Sequence, residues 1–547
     1  MASTANNTTG AGAYGGFRRV FNLRFVGWPR VYYRAIGLAA MLIFVIAELL
    51  THPYSTSTYN NEAVSCIPKV VSHILYGAPW GLASVRVTEL FASASTGLTT
   101  VAHAFQASLG TSPFNRQFVQ PYPDGSGAGC LLYTDIAFRI FGLHASSLAL
   151  LYLSLVATSG VLLIAAFPDH RVLVVPVYCC AMTLILLTPL MTTTLLINQS
   201  PIGGLRFAPT ASILPAIHMY FEVHDPAGTN HGLRDSLRLL LLAGQSLIFS
   251  LLCLVLGQPI VFLVAVLLIA LVVIRRGHWT RQLVVRIVTR LLVIFGILLL
   301  CIGATTTWWI RYPALRSFPV LGVVWHLEVV SFGINPDWPF PGIRSAYNCS
   351  PAIPEGIVPG TSDRDAQCIW VSYQIAHGTP RTAAGDPHTV YDNQYESVLR
   401  SAFFHILAKY PAQSLATFLY FKPRAIVDTL PYAFEFHLKS ANRFAAVASG
   451  LEFALFLGPS LTRMARSTKR KSVSATNRGV WLAFGVLSLA PYIVAWCNSL
   501  GSGMLVVFEF VGIIVVIGAL AEQLPRFRQG RFDELPSRAN PSTELRE

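Results

Sequence analysis

Long stretches of this chain, such as Leu239 to Leu256 and Ile260 to Ile274, are almost free of polar groups, and comparable runs recur along it. A helix needs about 20 apolar residues to cross a bilayer, and only helices or closed barrels satisfy their backbone hydrogen bonds in hydrocarbon. The short alternating strands of a barrel are absent. Hydrophobic residues make up 53% of the chain and charged ones only 12%, against about 25% charged in soluble domains. A soluble fold of that composition would expose large adhesive patches. The fold class is therefore read as an all-α polytopic membrane protein.

Apolar length and flanking charge mark about ten spans, at 35–51, 146–167, 172–197, 206–223, 237–256, 258–274, 286–308, 443–461, 480–498 and 503–521. The fourth is the weakest, since it carries Pro209, Pro215 and His218. Keeping it puts every basic cluster on one side. Those clusters are Arg18, Arg19, Arg24, Arg30 and Arg34 before the first span, and Arg275, Arg276 and Arg281 after the sixth. Arg463, Arg466, Lys469, Arg470, Lys471 and Arg478 follow the eighth, and Arg526, Arg528 and Arg531 follow the last. Basic loops stay in the cytoplasm, so both termini are expected there, in a bacterial cytoplasmic membrane. The same placement accounts for the net charge of +14 without a nucleic-acid partner.

This sidedness divides the chain into a cytoplasmic segment 1–34, a membrane region 35–310, a non-cytoplasmic lobe 311–442, closing spans 443–521 and a cytoplasmic tail 522–547. Two outer segments, 52–145 and 311–442, are too long to be connectors, and long ordered loops commonly carry function. In the first, residues 79–109 and 131–143 read as helices lying along the surface. In the second, 395–423 reads as an amphipathic interfacial helix, with Leu399, Phe403, Ile406, Leu407 and Tyr410 on one face.

The cysteines follow the same division. Cys179, Cys180, Cys253, Cys301 and Cys497 fall in spans, whereas Cys66, Cys130, Cys349 and Cys368 fall outside, two in each large loop. An even number in an oxidising compartment predicts Cys66–Cys130 and Cys349–Cys368 disulfides.

No Walker A, HExxH, GxSxG or CxxC pattern occurs, so ATP-driven transport by this chain alone and a structural zinc are not expected. Chemistry would rest on isolated polar groups near the outer face. Glu62 follows the first span in Asn60-Asn61-Glu62, Asp124 lies in Tyr122-Pro123-Asp124-Gly125, and Asp135 in Tyr133-Thr134-Asp135. An interfacial carboxylate can take a proton from an acceptor hydroxyl or hold a divalent ion near a phosphate; each is equally readable as a solvated loop acid or cap, and Pro-Asp-Gly is a common turn. Glu48 and Glu509 lie inside spans, where an acid faces protein or water. Arg206, at the outer end of the fourth span, is placed either to meet a lipid phosphate or to snorkel.

One order of features is familiar. A first span leads to an acidic outer loop with surface helices, then Tyr133-Thr134-Asp135 and Phe138-Arg139-Ile140-Phe141-Gly142 run into the second span, and a large outer lobe follows the seventh. The lobe carries Val324-Trp325-His326, Phe332-Gly333-Ile334-Asn335-Pro336, the acids Asp363 and Asp365, Tyr395-Glu396-Ser397-Val398-Leu399-Arg400, Lys409-Tyr410-Pro411 and Lys422. The whole resembles the polytopic GT-C glycosyltransferases, which take sugar from a polyprenyl-phosphate carrier. The resemblance implies a sugar transferase of the outer face, with membrane lipids and a polyprenyl-phosphate-linked sugar as partners and a catalytic acid in the first outer loop. Glu62 matches that acid by position, although an Asn-Glu pair stands where the family has two acids; Asp124 and Glu48 are the alternatives. Arg206 and Lys422 would meet the carrier phosphate. Members differ in metal use, so no metal ligand is assigned and a divalent cation is left open. A non-catalytic envelope scaffold, or a transporter or flippase of a lipid-linked saccharide, fits the same outer lobes.

Overall fold

The computed structural model describes residues 30–51, 61–95, 98–111, 117–119, 127–167, 208–224, 233–255, 281–322, 324–338, 340, 363–378 and 392–421, with parts of 170–182 and 257–271. The spans expected at 443–461, 480–498 and 503–521, and the basic segments beside them, lie outside the described residues. So does most of the span expected at 172–197.

The described chain is almost wholly helical. Among the described residues, four helices are long and apolar enough to cross a membrane: α1 (Arg30–Thr51), α6 (Ser147–Ala166), α9 (Leu233–Val255) and α10 (Arg281–Ile310). Between α1 and α6 lie α2 (Asn61–Tyr76), α3 (Val85–Ser95), α4 (Val101–Leu109) and α5 (Ala128–Phe141). The expected weak fourth span is two helical pieces, α7 (Ala208–Ala211) and α8 (Ile213–His224). Every side chain from Ala211 to Val223 is buried, which explains how a segment with Pro215 and His218 is held among apolar neighbours.

Close approaches fix the direction of each helix. A side chain at Gly37 would meet Ile164 and Val172, and one at Gly160 would meet Met41, so α1 and α6 are antiparallel. Gln245 donates to the Ser159 carbonyl at 2.7 Å, and Arg238 lies over the Phe167 ring, so α9 also runs against α6. Glu222 near the end of α8 meets Arg238 and Arg290 near the starts of α9 and α10. Thus α1, α9 and α10 run one way and α6 and α8 the other. This is the alternation that the sequence reading of these segments requires.

Around its apolar core, the bundle also buries polar side chains while leaving leucines exposed. On α9, Gln245, Ser246 and Ser250 are buried while Leu240 and Leu247 are exposed; on α10, Leu292, Leu299 and Leu300 are exposed while Arg290 is buried. In water such exposed leucines would forfeit about 1.5–3 kcal/mol each. In lipid they forfeit nothing.

Beyond α10 come α11 (Pro313–Arg316), α12 (Val324–Val330), a 3₁₀ turn at Ser331–Ile334, α13 (Asp363–Ala376), α14 (Asn393–Lys409) and α15 (Pro411–Ala416), which continues as a π-helix over Thr417–Phe421. They enclose a second core, separate from the bundle's, around Phe332, Phe340, Trp370, Tyr395, Leu399, Phe403 and Ile406. The stripe Leu399–Phe403–Ile406 of the segment expected at 395–423, with Leu407 and Tyr410 beside it, packs into that core. An amphipathic pattern reports only that one face leaves water; the aromatic residues of α12 and the 3₁₀ turn are what it meets.

Candidate functional site

The segment between α1 and α6 is a folded layer. Cys66 on α2 is disulfide-bonded to Cys130 on α5, with Cα atoms 6.1 Å apart. Phe91, Phe105 and Phe138 stack edge to face across α3, α4 and α5. The strands β1 (Ala83–Ser84) and β2 (Phe118–Val119) pair antiparallel, and Ser72 Oγ accepts from the Ser84 amide. The layer is fastened to the bundle by Tyr133, whose hydroxyl donates to the Leu148 carbonyl at 2.7 Å. It is also fastened by Gly129, where any side chain would run into the backbone of Leu254 and Val255. Trp80 meets Trp308 of α10 edge to face and stacks on His73 at 3.9 Å.

The layer also touches the lobe. The Ala128 amide donates to the Val320 carbonyl at 2.7 Å, and Gly127 sits so close to Val320, Leu321 and Gly322 that no side chain would fit. Two long segments, far apart in sequence, thus meet at the same end of the bundle.

Glu62 is the second residue of α2, one turn before Cys66; the described side chains of that helix begin at Cys66. Glu48, near the end of α1, is fully buried. Asp135 is paired with Arg139 one turn along its own helix at 2.8 Å. Asp124, Arg206, Lys422, Glu509 and Cys349 lie outside the described residues. Cys368 is disulfide-bonded.

The lobe brings together pieces that the sequence holds apart. Glu396 Oε2 accepts the amides of Val324 and Trp325, each at 2.8 Å, and Oε1 accepts that of His326 at 3.1 Å. One carboxylate on α14 therefore caps the first turn of α12, whose amides have no partner within their own helix. The Tyr395 hydroxyl lies 2.7 Å from His326 Nδ1. Asn335 Nδ2 donates to Thr417 Oγ1 at 2.8 Å. Burial pushes the Glu396 carboxyl above the usual carboxylate range, against the pull of the three amides and of His326.

Sequence reading missed a constellation at the opposite end of the bundle. Glu222 of α8 is fully buried and receives Arg238 Nε at 2.9 Å and Arg290 Nε at 2.8 Å. Arg290, almost fully buried itself, reaches Asp235 with its Nη2 at 2.9 Å. Arg171 and Arg238 lie over the Phe167 ring, and His218, one turn before Glu222, meets the same ring edge-on. The available signal was Arg290, a charge inside a long apolar run. Such a charge requires a partner, and Glu222 is the acid near the end of the neighbouring weak span.

Among the described residues, no group of three or more His, Cys, Asp or Glu side chains is placed to hold a metal ion. Comparison of the chain with protein-family models, with curated proteins and with solved structures finds no match.

Proposed function

We propose that this chain is an integral membrane glycosyltransferase of a bacterial cytoplasmic membrane, with both termini inside, acting on the outer face. It moves a sugar from a polyprenyl-phosphate carrier to a cell-envelope acceptor. Glu62 takes the proton from the acceptor hydroxyl as the oxygen attacks the anomeric carbon. The sugar–phosphate bond breaks with inversion, and the polyprenyl phosphate leaves with the bond's electrons, its charge met by Arg206 and Lys422. One observation carries the reading: the first outer loop is a disulfide-locked helical layer that touches the lobe, and Glu62 opens its first helix. A mere connector would have no need of such a layer.

The test is sugar transfer from radiolabelled polyprenyl-phosphate donor in membranes containing the wild type, Glu62→Gln or Asp124→Asn. Loss of a general base lowers the rate by about 10²–10⁴-fold, so Glu62→Gln should fall that far while Asp124→Asn stays near wild type. Equal transfer by Glu62→Gln and wild type would remove Glu62 from the mechanism. A second reading, a non-catalytic scaffold of envelope assembly, is favoured by the engagement of Tyr395 and Glu396 with His326, and of Asn335 with Thr417, inside the lobe. It expects intact protein to transfer no sugar while remaining bound to other envelope proteins.

A further inference from the structure

The end of the lobe is built inside out. Over residues 411–421, Ser414 and Thr417 are buried, and Thr417 is held by Asn335, itself buried. The outward residues are apolar: Pro411, Ala412, Leu415, Leu419 and Tyr420, with Leu415 58% and Leu419 61% exposed. Leu415 and Leu419 are one turn apart and share a face. The stretch contains no charged residue, yet cations bracket it, with Lys409 before and Lys422 and Arg424 after.

Two kinds of helix are available for comparison within the same chain. On α14 the buried face is mainly apolar, with Leu399, Phe403 and Ile406 inside beside the amide-bound Glu396, and Arg400 outside with Phe404, closer to the pattern of a helix beside water. On α9 the buried face includes Gln245, Ser246 and Ser250, and leucines point out. α15 and its π-helical continuation follow α9. Six and five residues long, the two together reach about 16 Å, roughly half the hydrocarbon thickness. They are suited to entering one leaflet and not to crossing.

We propose that α15 and the π-helix form a membrane-docking edge, pressing Leu415, Leu419 and Tyr420 into the lipid of the outer leaflet. Lys409, exposed just before the stretch, meets lipid phosphates at the headgroup level. The lobe is then held down at two places, at α10 and at this edge, with its aromatic core between them. The docking is independent of sugar transfer.

The test uses full-length protein in nanodiscs of phosphatidylethanolamine and phosphatidylglycerol. Spin labels are placed at Leu415→Cys, Leu419→Cys and, as a solvent-facing control on α14, Ser401→Cys, and the unsubstituted protein supplies the background. At Leu415 and Leu419, oxygen should broaden the signal several-fold more than a water-soluble nickel chelate does, and at Ser401 the order should reverse. Chelate access at Leu415 and Leu419 equal to that at Ser401 would overturn the proposal. So would labels immobilised and shielded from both agents, which would mean that another part of this chain or a second copy covers the face. Each labelled protein must first elute as the wild type does, and Leu415 and Leu419 are read separately so that failure of one variant to fold leaves the other.

Discussion

Two buried carboxylates anchor the two halves of the described molecule, and they are satisfied in opposite ways. Glu222, in the bundle, is held by side-chain cations from two other helices, Arg238 of α9 and Arg290 of α10. Glu396, in the lobe, is held by three consecutive backbone amides of a single helix. The first arrangement ties three helices through long side chains and leaves full charges in a low-dielectric place. The second ties two helices through groups that carry only partial charge. Arg290, buried almost completely, would keep a full charge with little water to turn to, whereas the amides of α12 begin at Val324, which is itself exposed. The bundle site should therefore be the more fragile of the two.

The largest expected effect follows directly. Glu222→Leu takes the carboxylate from both Arg238 and Arg290 and leaves the buried Arg290 with Asp235 and the Arg286 carbonyl; removing one partner of a buried pair costs about 3–5 kcal/mol. Thermal unfolding in detergent should show that loss, and adding Arg290→Met should restore most of it, because replacing a whole buried pair by apolar groups is nearly neutral. A double variant no more stable than Glu222→Leu alone would mean that Arg290 has a second role beyond answering Glu222.

Next comes the lobe. Glu396→Leu uncaps α12 and strands three amides, a loss of about 2–3 kcal/mol from the cap and the unmade bonds together. Hydrogen exchange at Val324, Trp325 and His326 should quicken, while exchange in α9 and α10 stays as in wild type. If the bundle helices loosen equally, the two halves share one cooperative unit and the contrast between them fails.

The same contrast explains what could be read in advance. Apolar runs and flanking arginines were enough to place α1, α6, α9 and α10, and the count of outer cysteines was enough for the Cys66–Cys130 bond. These depend on local composition and on sidedness. The Glu396 cap was not legible, because a carboxylate paired with amides some seventy residues earlier leaves no trace in spacing. Nor was the fate of the Leu399–Phe403–Ile406 stripe, since periodicity marks a buried face without naming what covers it. Glu222 was overlooked because it stands at the end of a span, where an acid passes for an ordinary loop residue. Glu62 was singled out by its position in the chain alone; the fold places it in the first turn of a helix tied by the disulfide one turn later.

The smallest effect is the most discriminating about the lobe. Two forces act on the Glu396 proton: burial disfavours the carboxylate, and the amides of Val324, Trp325 and His326 favour it, with burial the larger. The folded carboxyl then keeps its proton to a higher pH than the unfolded chain does. Between the ordinary carboxylate range and that raised value the folded state binds more protons, so stability falls as pH rises. The contribution is whole below the unfolded value and gone above the folded one. Asp392, which burial also raises, adds to the slope with the same sign. Protection of the first amides of α12, corrected for the intrinsic pH dependence of exchange, should decline across that window, and Glu396→Leu should leave only the shallower slope due to Asp392. Protection that instead grows with pH would show the amides winning over burial, and Glu396 would then be a charged anchor like Glu222 after all.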